Sequence, residues 1–240
     1  MNLVDNSISV NYKNVLERIN NAALSSGRNP DEIKLIVVTK GQSIEKIERA
    51  YHAGIRKFGE NYVQEAISKI DHFHTRGDIE WHMIGHVQSR KARLVSERFC
   101  YVESLDSLKL AERLDKFARE TNKKLPVLLE CNVSAEESKF GFPAWQEDKW
   151  DRFLIPIIEQ IISLENLAVA GLMTMPPLSL DKEKVRPYFK KLRKLLSYLR
   201  EFLPQNEWKE LSMGMSADFE IAVEEGATIV RIGTAIMGPR

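Results

Sequence analysis

The residues best suited to chemistry sit at the ends of short apolar runs. Lys40 closes Leu35-Ile36-Val37-Val38-Thr39, a run that reads as a buried β-strand. An ammonium group at the mouth of such a strand is costly unless it is paired or discharged, because burial lowers a lysine pKa by up to ~3–5 units. A neutral amine in a desolvated pocket is the nucleophile that forms Schiff bases with carbonyl groups. The plainer alternative is a lysine that swings out to water.

Two further segments suggest what such an amine would meet. Leu211-Ser212-Met213-Gly214-Met215-Ser216-Ala217-Asp218 runs from a strand through a glycine and two hydroxyls into a helix with Asp218 and Glu220 in its first turn. Arg231-Ile232-Gly233-Thr234-Ala235 ends another strand with a cation, a bare backbone and a hydroxyl. Free N–H groups at helix starts favour anions. Taken singly, Ser216 reads equally well as a helix cap and Gly233 as a turn. On adjacent strand exits they make a phosphate cradle, and a cradle across a barrel mouth from Lys40 suits a small phosphorylated aldehyde. Pyridoxal 5′-phosphate (PLP) is such a molecule.

The elements that position these residues alternate. Eight apolar or β-branched runs read as strands: Lys34–Thr39, Ile55–Gly59, Glu80–Gly85, Phe99–Glu103, Pro126–Asn132, Leu167–Met173, Trp208–Ser212 and Thr228–Ile232. Helical spacing fills the gaps, most clearly over Val185–Leu203, where Phe189, Leu192, Leu195, Leu196, Leu199 and Phe202 form a stripe and the lysines lie elsewhere. An extra helix near Asn11–Leu24 comes first. The pattern predicts a single-domain α/β chain over 1–240, a (β/α)8 TIM barrel, with an open doubly wound sheet as the alternative. In a barrel the functional residues belong at the C-terminal strand ends, where seven or more of the eight exits carry polar residues or glycine.

Composition narrows the class. Thirty-five basic and 34 acidic residues leave a net charge of +1, which gives no bulk attraction to nucleic acid or an anionic membrane. Cys100 and Cys131 lack the spacing of a metal site or disulfide framework and read as small buried residues. No stretch has signal-peptide or membrane-span character, so a cytoplasmic protein is expected.

Six segments resemble one known family: Gly59–Glu65, Trp81–Gln88, Glu137–Gly141, Gly171–Thr174, Leu211–Asp218 and Val230–Thr234 are similar, in order, to the pyridoxal-phosphate homeostasis proteins often called YggS or PROSC. The resemblance implies a barrel like the N-terminal domain of bacterial alanine racemase, with PLP held as a Schiff base. By position Lys40 matches the Schiff-base lysine and Asn61 a residue lining the cofactor pocket; Met173 joins the cofactor-binding set. Ser212, Ser216, Gly233 and Thr234 match the phosphate-binding group, and Arg231 the arginine near the cofactor. A permanent cation beside the pyridine nitrogen disfavours a protonated ring and weakens the electron sink; a cation on the phosphate simply adds binding energy. Gly41-Gln42 after the lysine and Val87 depart from the usual pattern.

Racemisation requires two bases on opposite faces of the bound substrate, and the β-rich domain that supplies the second in alanine racemase is not expected here. The expected function is therefore PLP storage and delivery in vitamin B6 homeostasis, with apo PLP-dependent enzymes as recipients, no nucleic-acid or membrane partner, no metal and a monomeric state. The alternative is a weak amino-acid racemase with His86 or Lys139 as second base; a cofactor-free Schiff-base aldolase is a third class. Lys139 also reads as a transient second PLP acceptor, and His82 as a structural histidine sharing a strand face with His86.

Overall fold

The computed structural model describes residues 7–136, 138–177, 179 and 181–239; the ends of the expected 1–240 domain and Glu137 lie outside these. The strands are β1 Lys34–Val38, β2 Lys57–Glu60, β3 Glu80–Met83, β4 Tyr101–Leu105, β5 Leu125–Asn132, a two-residue β6 Phe142–Pro143, β7 Leu167–Met173, β8 Glu210–Ser212 and β9 Ile229–Ile232. The helices are α1 Ser7–Ser25, α2 Ile44–His52, α3 Val63–His72, α4 Ala92–Arg98, α5 Leu108–Glu120, α6 Ile155–Ile162, α7 Arg186–Phe202, α8 Phe219–Glu224 and α9 Thr234–Met237.

Every strand pairing is parallel, and β4–β5 pairing joins the two halves while β1 pairs with both β2 and β9. With β6 set aside as a short addition to β5, the remaining strands form a closed eight-stranded barrel, as the alternation of elements predicts. All eight expected strands form. The opening helix starts earlier than expected, because Ile8 is buried and extends the packed face of α1 against α8 and α9.

Strand alternation sends neighbouring side chains to opposite faces. Val37, Phe58, Trp81, Val102, Leu129, Leu211 and Val230 join helix residues such as Ile47, Ala66, Leu114 and Leu195 in the large core between barrel and helices. Ile36, Leu128, Met173 and Ile229, with Tyr101 against them, form a small separate cluster inside the barrel. Helix α7 buries Phe189, Leu192, Leu195, Leu196 and Leu199 as its stripe predicts. Phe202, assigned to that stripe, is instead 51% exposed and stacks on Tyr198, because the helix ends there. Among the described residues no helix is long and apolar enough to cross a membrane.

Candidate functional site

Lys40 stands one residue beyond buried Thr39 at the exit of β1, half-buried and on the wall of a cavity of about 520 Å³. The backbone on both sides of it is tied to one buried ammonium group. Lys69 of α3 donates to the Thr39 carbonyl at 2.7 Å and to Glu60 and Glu65 at 2.6 Å each, while Gly41 N–H donates to Glu65 at 2.6 Å. The Thr39 hydroxyl donates to Glu60 at 2.6 Å. Burial raises the Glu60 carboxyl above its ordinary range, with Lys69 opposing. Breaking such a buried pair by removing one partner costs about 3–5 kcal/mol, so the cluster holds the Lys40 segment firmly. Sequence reading missed it; the Glu65–Lys69 spacing of four on one helix was the available signal.

The exits of β8 and β9 converge as expected, with one change. Gly214 adopts φ +94°, and a Cβ there would lie 2.5 Å from the Ala222 Cβ, so only glycine makes the turn into the following loop. Helix α8 begins at Phe219 with Asp218 as its N-cap residue, so Asp218 precedes the first turn and Ser216 does not cap the helix. The Ser216 hydroxyl instead accepts from Ala235 N–H at 3.4 Å, and Asp218 accepts from Met215 N–H at 2.6 Å. Gly233, the N-cap of α9, has no side chain to satisfy the first N–H groups of that turn. Serine loop and last helical turn thus form one surface.

Lys40, Asn61, Ser216, Arg231, Gly233 and Thr234 line the cavity together. The lysine and the cradle stand on neighbouring strands rather than across the mouth, because β1 pairs directly with β9, with Ile36 opposite Arg231. Met173 and Ser212 are not among the lining residues. Met173 lies in the small cluster inside the barrel, and Ser212 is buried beneath the floor in hydrogen bonds to Glu103 and Arg231. Gln42, Met175 and Asp218 line the cavity without having been singled out for it. Asn61 lines the cavity, and its Oδ1 is buried without a hydrogen-bond partner among the described residues. Gly85 packs so closely that a Cβ would come within 2.4 Å of the Asn61 carbonyl oxygen, which fixes the Asn61 backbone.

The floor is charged. Arg231, its side chain 2% exposed, donates from Nη1 to the Ser212 hydroxyl at 2.5 Å and from Nη2 to the Thr174 carbonyl at 2.9 Å. Ser212 donates onward to Glu103 Oε2 at 2.5 Å, and Glu103 Oε1 lies 2.8 Å from His82 Nδ1. Burial alone would raise the Glu103 carboxyl, but His82, Arg231 and Ser212 outweigh it and hold it below its ordinary range. Burial likewise pulls His82 down, and its hydrogen bond to Glu103 together with the Glu80 carboxylate 3.8 Å from Nε2 more than reverses this, so its pKa is raised.

The two residues considered as second bases lie elsewhere. The ring of His86 stacks on Phe140, its Nδ1 is 2.6 Å from Asp106, and it lines a second surface cleft with Tyr62, Gln88 and Lys91, on the other side of Asn61, which borders both. His82 is buried inside the barrel, so the two histidines do not share a face: His86 lies in the loop after β3, where strand alternation no longer applies. Lys139 donates to the Met175 carbonyl at 3.0 Å and pairs with Glu136, and is not among the lining residues of the main cavity. Cys131 is buried as expected, whereas Cys100, the residue before β4, is exposed.

The family model described as "Alanine racemase, N-terminal domain" matches residues 10–240. The pyridoxal phosphate homeostasis protein of Haemophilus influenzae is 39% identical over 236 residues, covering 98% of this chain and 96% of that protein. The protein of the same name from Aquifex aeolicus is 42% identical over 230 residues, covering 94% and 95%. The chain belongs to the pyridoxal phosphate homeostasis protein family. A structure of the homologue PipY from Synechococcus elongatus with PLP bound superposes on this family member with a TM-score of 0.80 at 37% identity, covering 93% of this chain and all of that one (100%). Alanine racemase from Clostridium difficile shares the fold, with a TM-score of 0.68 at 15% identity, and this chain spans 56% of its length.

Proposed function

We propose that this family member holds PLP reversibly on Lys40 and acts in PLP homeostasis, storing the cofactor and releasing it to apo-enzymes. One observation carries the reading: an amine, Asn61, the Ser216–Gly233–Thr234 surface and Arg231 line one cavity of about 520 Å³, within the usual size for a small-molecule site. The donor set fits a molecule with an aldehyde and a phosphate. PLP supplies an aldehyde that condenses with a primary amine, releasing one water. Lys40 provides the amine, from a backbone that the Lys69 cluster fixes on both sides. Ser216, Gly233 and Thr234 hold the phosphate beside it through a hydroxyl, N–H groups at the start of α9 and a second hydroxyl. Arg231, anchored to Ser212 and the Thr174 carbonyl below the rim, faces the ring rather than the phosphate. Met173 and Ser212 support the site from beneath.

The placement of His86 and Lys139 away from the cavity wall favours a carrier over a racemase. We place the protein in the cytoplasm, as a single-domain monomer. Adding PLP to purified protein should produce a visible absorption band that borohydride abolishes, and Lys40→Ala should lack the band. An unchanged band in Lys40→Ala would sink the attachment site. Chiral analysis of alanine incubated with the loaded protein tests the carrier reading, because net racemisation above a Lys40→Ala control would favour the enzyme.

A further inference from the structure

A hydrogen-bonded chain crosses the barrel from the cavity floor towards its opposite end. It runs from Arg231 on β9 through Ser212 on β8 to Glu103 on β4 and His82 on β3. The single Ser212 proton goes to Glu103, because its oxygen accepts from the Arg231 guanidinium, which has no acceptor atom. Glu103 therefore receives hydrogen bonds on both oxygens and sits at 3.9 Å from Arg231 Nη1, fully buried. Below it His82 stacks on Tyr101 and brings Nε2 to 3.8 Å from Glu80, which pairs with Lys57 at the rim of the barrel's N-terminal end. Arg231 is also faced by Glu130 on β5 and by Asp218 at the start of α8.

The chain alternates in charge: cation, carboxylate, imidazole, carboxylate. Interactions at these distances inside a water-poor barrel are far less screened than on a surface. The charge the cavity feels from Arg231 thus depends on Glu103, and the charge of Glu103 depends on His82.

We propose that Glu103 and His82 are positioning residues acting through Arg231, which together set the orientation and the net positive charge that the cavity floor presents to the ring of bound PLP. The proposal rests on the PLP-binding reading above. It assigns the two residues opposite signs. Glu103→Gln leaves Arg231 without its nearest counter-ion and makes the floor more positive, whereas His82→Gln removes the group that neutralises Glu103 and makes it more negative. A more positive floor disfavours protonation of the nitrogen joining Lys40 to the cofactor.

The test is the pH at which the visible band of the PLP-loaded protein titrates. Glu103→Gln should move that midpoint down by about one pH unit, and His82→Gln should move it up. Loss of mere structural support would give shifts of one sign or none, and either result overturns the proposal. The cofactor-free protein offers a second measurement that needs no variant to survive purification. Nitrogen-15 NMR of histidine-labelled wild type should show His82 keeping its second ring proton to a higher pH than free histidine does, and loss at a lower pH would refute the chain of charges. If wild type gives no visible band with PLP, the PLP reading fails and this proposal with it; a band with unmoved midpoints defeats this proposal alone.

Discussion

Glu130 of β5 stands beside this chain and is a measurable point in the fold. Its Oε2 is buried without a hydrogen bond among the described residues, and burial, then Asp106, push the carboxyl up to about 7 against an ordinary 4.5, with Arg231 opposing. The folded state therefore binds a proton more tightly than the unfolded chain does. Its contribution is fully present below the unfolded value and is lost as pH rises through about 7. The difference between about 7 and 4.5, at ~1.36 kcal/mol per unit, is about 3 kcal/mol of stability lost at alkaline pH. For a chain of this size that is roughly 6–12 °C in melting temperature. Glu130→Gln keeps the shape and removes the titration. Urea melts of cofactor-free wild type and variant at pH 5 and pH 8 should show the variant gaining on wild type by about 2–3 kcal/mol between the two conditions. His82 and the other titrating groups are common to both proteins and cancel in that difference. Parallel pH profiles would refute the claim that burial raises the Glu130 carboxyl despite Arg231.

Other outcomes follow from the site. Lys69→Met should lower stability by about 3–5 kcal/mol in urea melts by stranding Glu60, and adding Glu60→Gln should restore most of it. Gly214→Ala should cost at least ~1 kcal/mol, since φ +94° and the contact with Ala222 both oppose a side chain. The same variant should weaken PLP binding about tenfold in absorbance titrations, because it displaces the loop that carries Ser216. Unaltered affinity would show that the loop is not part of the phosphate site.

Lys40, Ser216, Gly233 and Thr234 were legible in the sequence because each follows a strand-like run, and a parallel barrel brings all its strand exits to one end. What alternation does not give is which strands meet. The expectation of a cradle across the mouth from Lys40 missed that closure makes β1 and β9 neighbours. Ser212 ends its run and so reads as a rim hydroxyl, but it shares a barrel-interior face with Glu210 two residues earlier and turns down towards Glu103. Met173 ends its run too, yet a register irregularity between β5 and β7 accompanies its packing with Leu128 inside the barrel. The Lys69–Glu60 and Glu103–His82 pairs are not legible for the same reason: each joins residues from separate elements, so neither the Glu65–Lys69 spacing nor the structural reading of His82 names the buried carboxylate it meets.

The charged interior is the feature that hydrophobic stability explains least. A barrel of this kind fills its centre most simply with branched aliphatic side chains, as the Ile36–Leu128–Met173–Ile229 cluster does here. A buried ion pair contributes little net stability, and an apolar set of similar volume often does as well or better. Arg231, Glu103 and His82 nonetheless occupy the volume directly under the cavity, each 3% exposed or less, and are joined to one another through Ser212 by hydrogen bonds. A cation that costs this much desolvation, and is held in a single orientation by a serine, a carbonyl and a carboxylate, makes sense where something above it senses its charge. If the cavity holds PLP as proposed, that something is the ring, with the Lys40 amine on one strand and the Ser216–Gly233–Thr234 surface on the next.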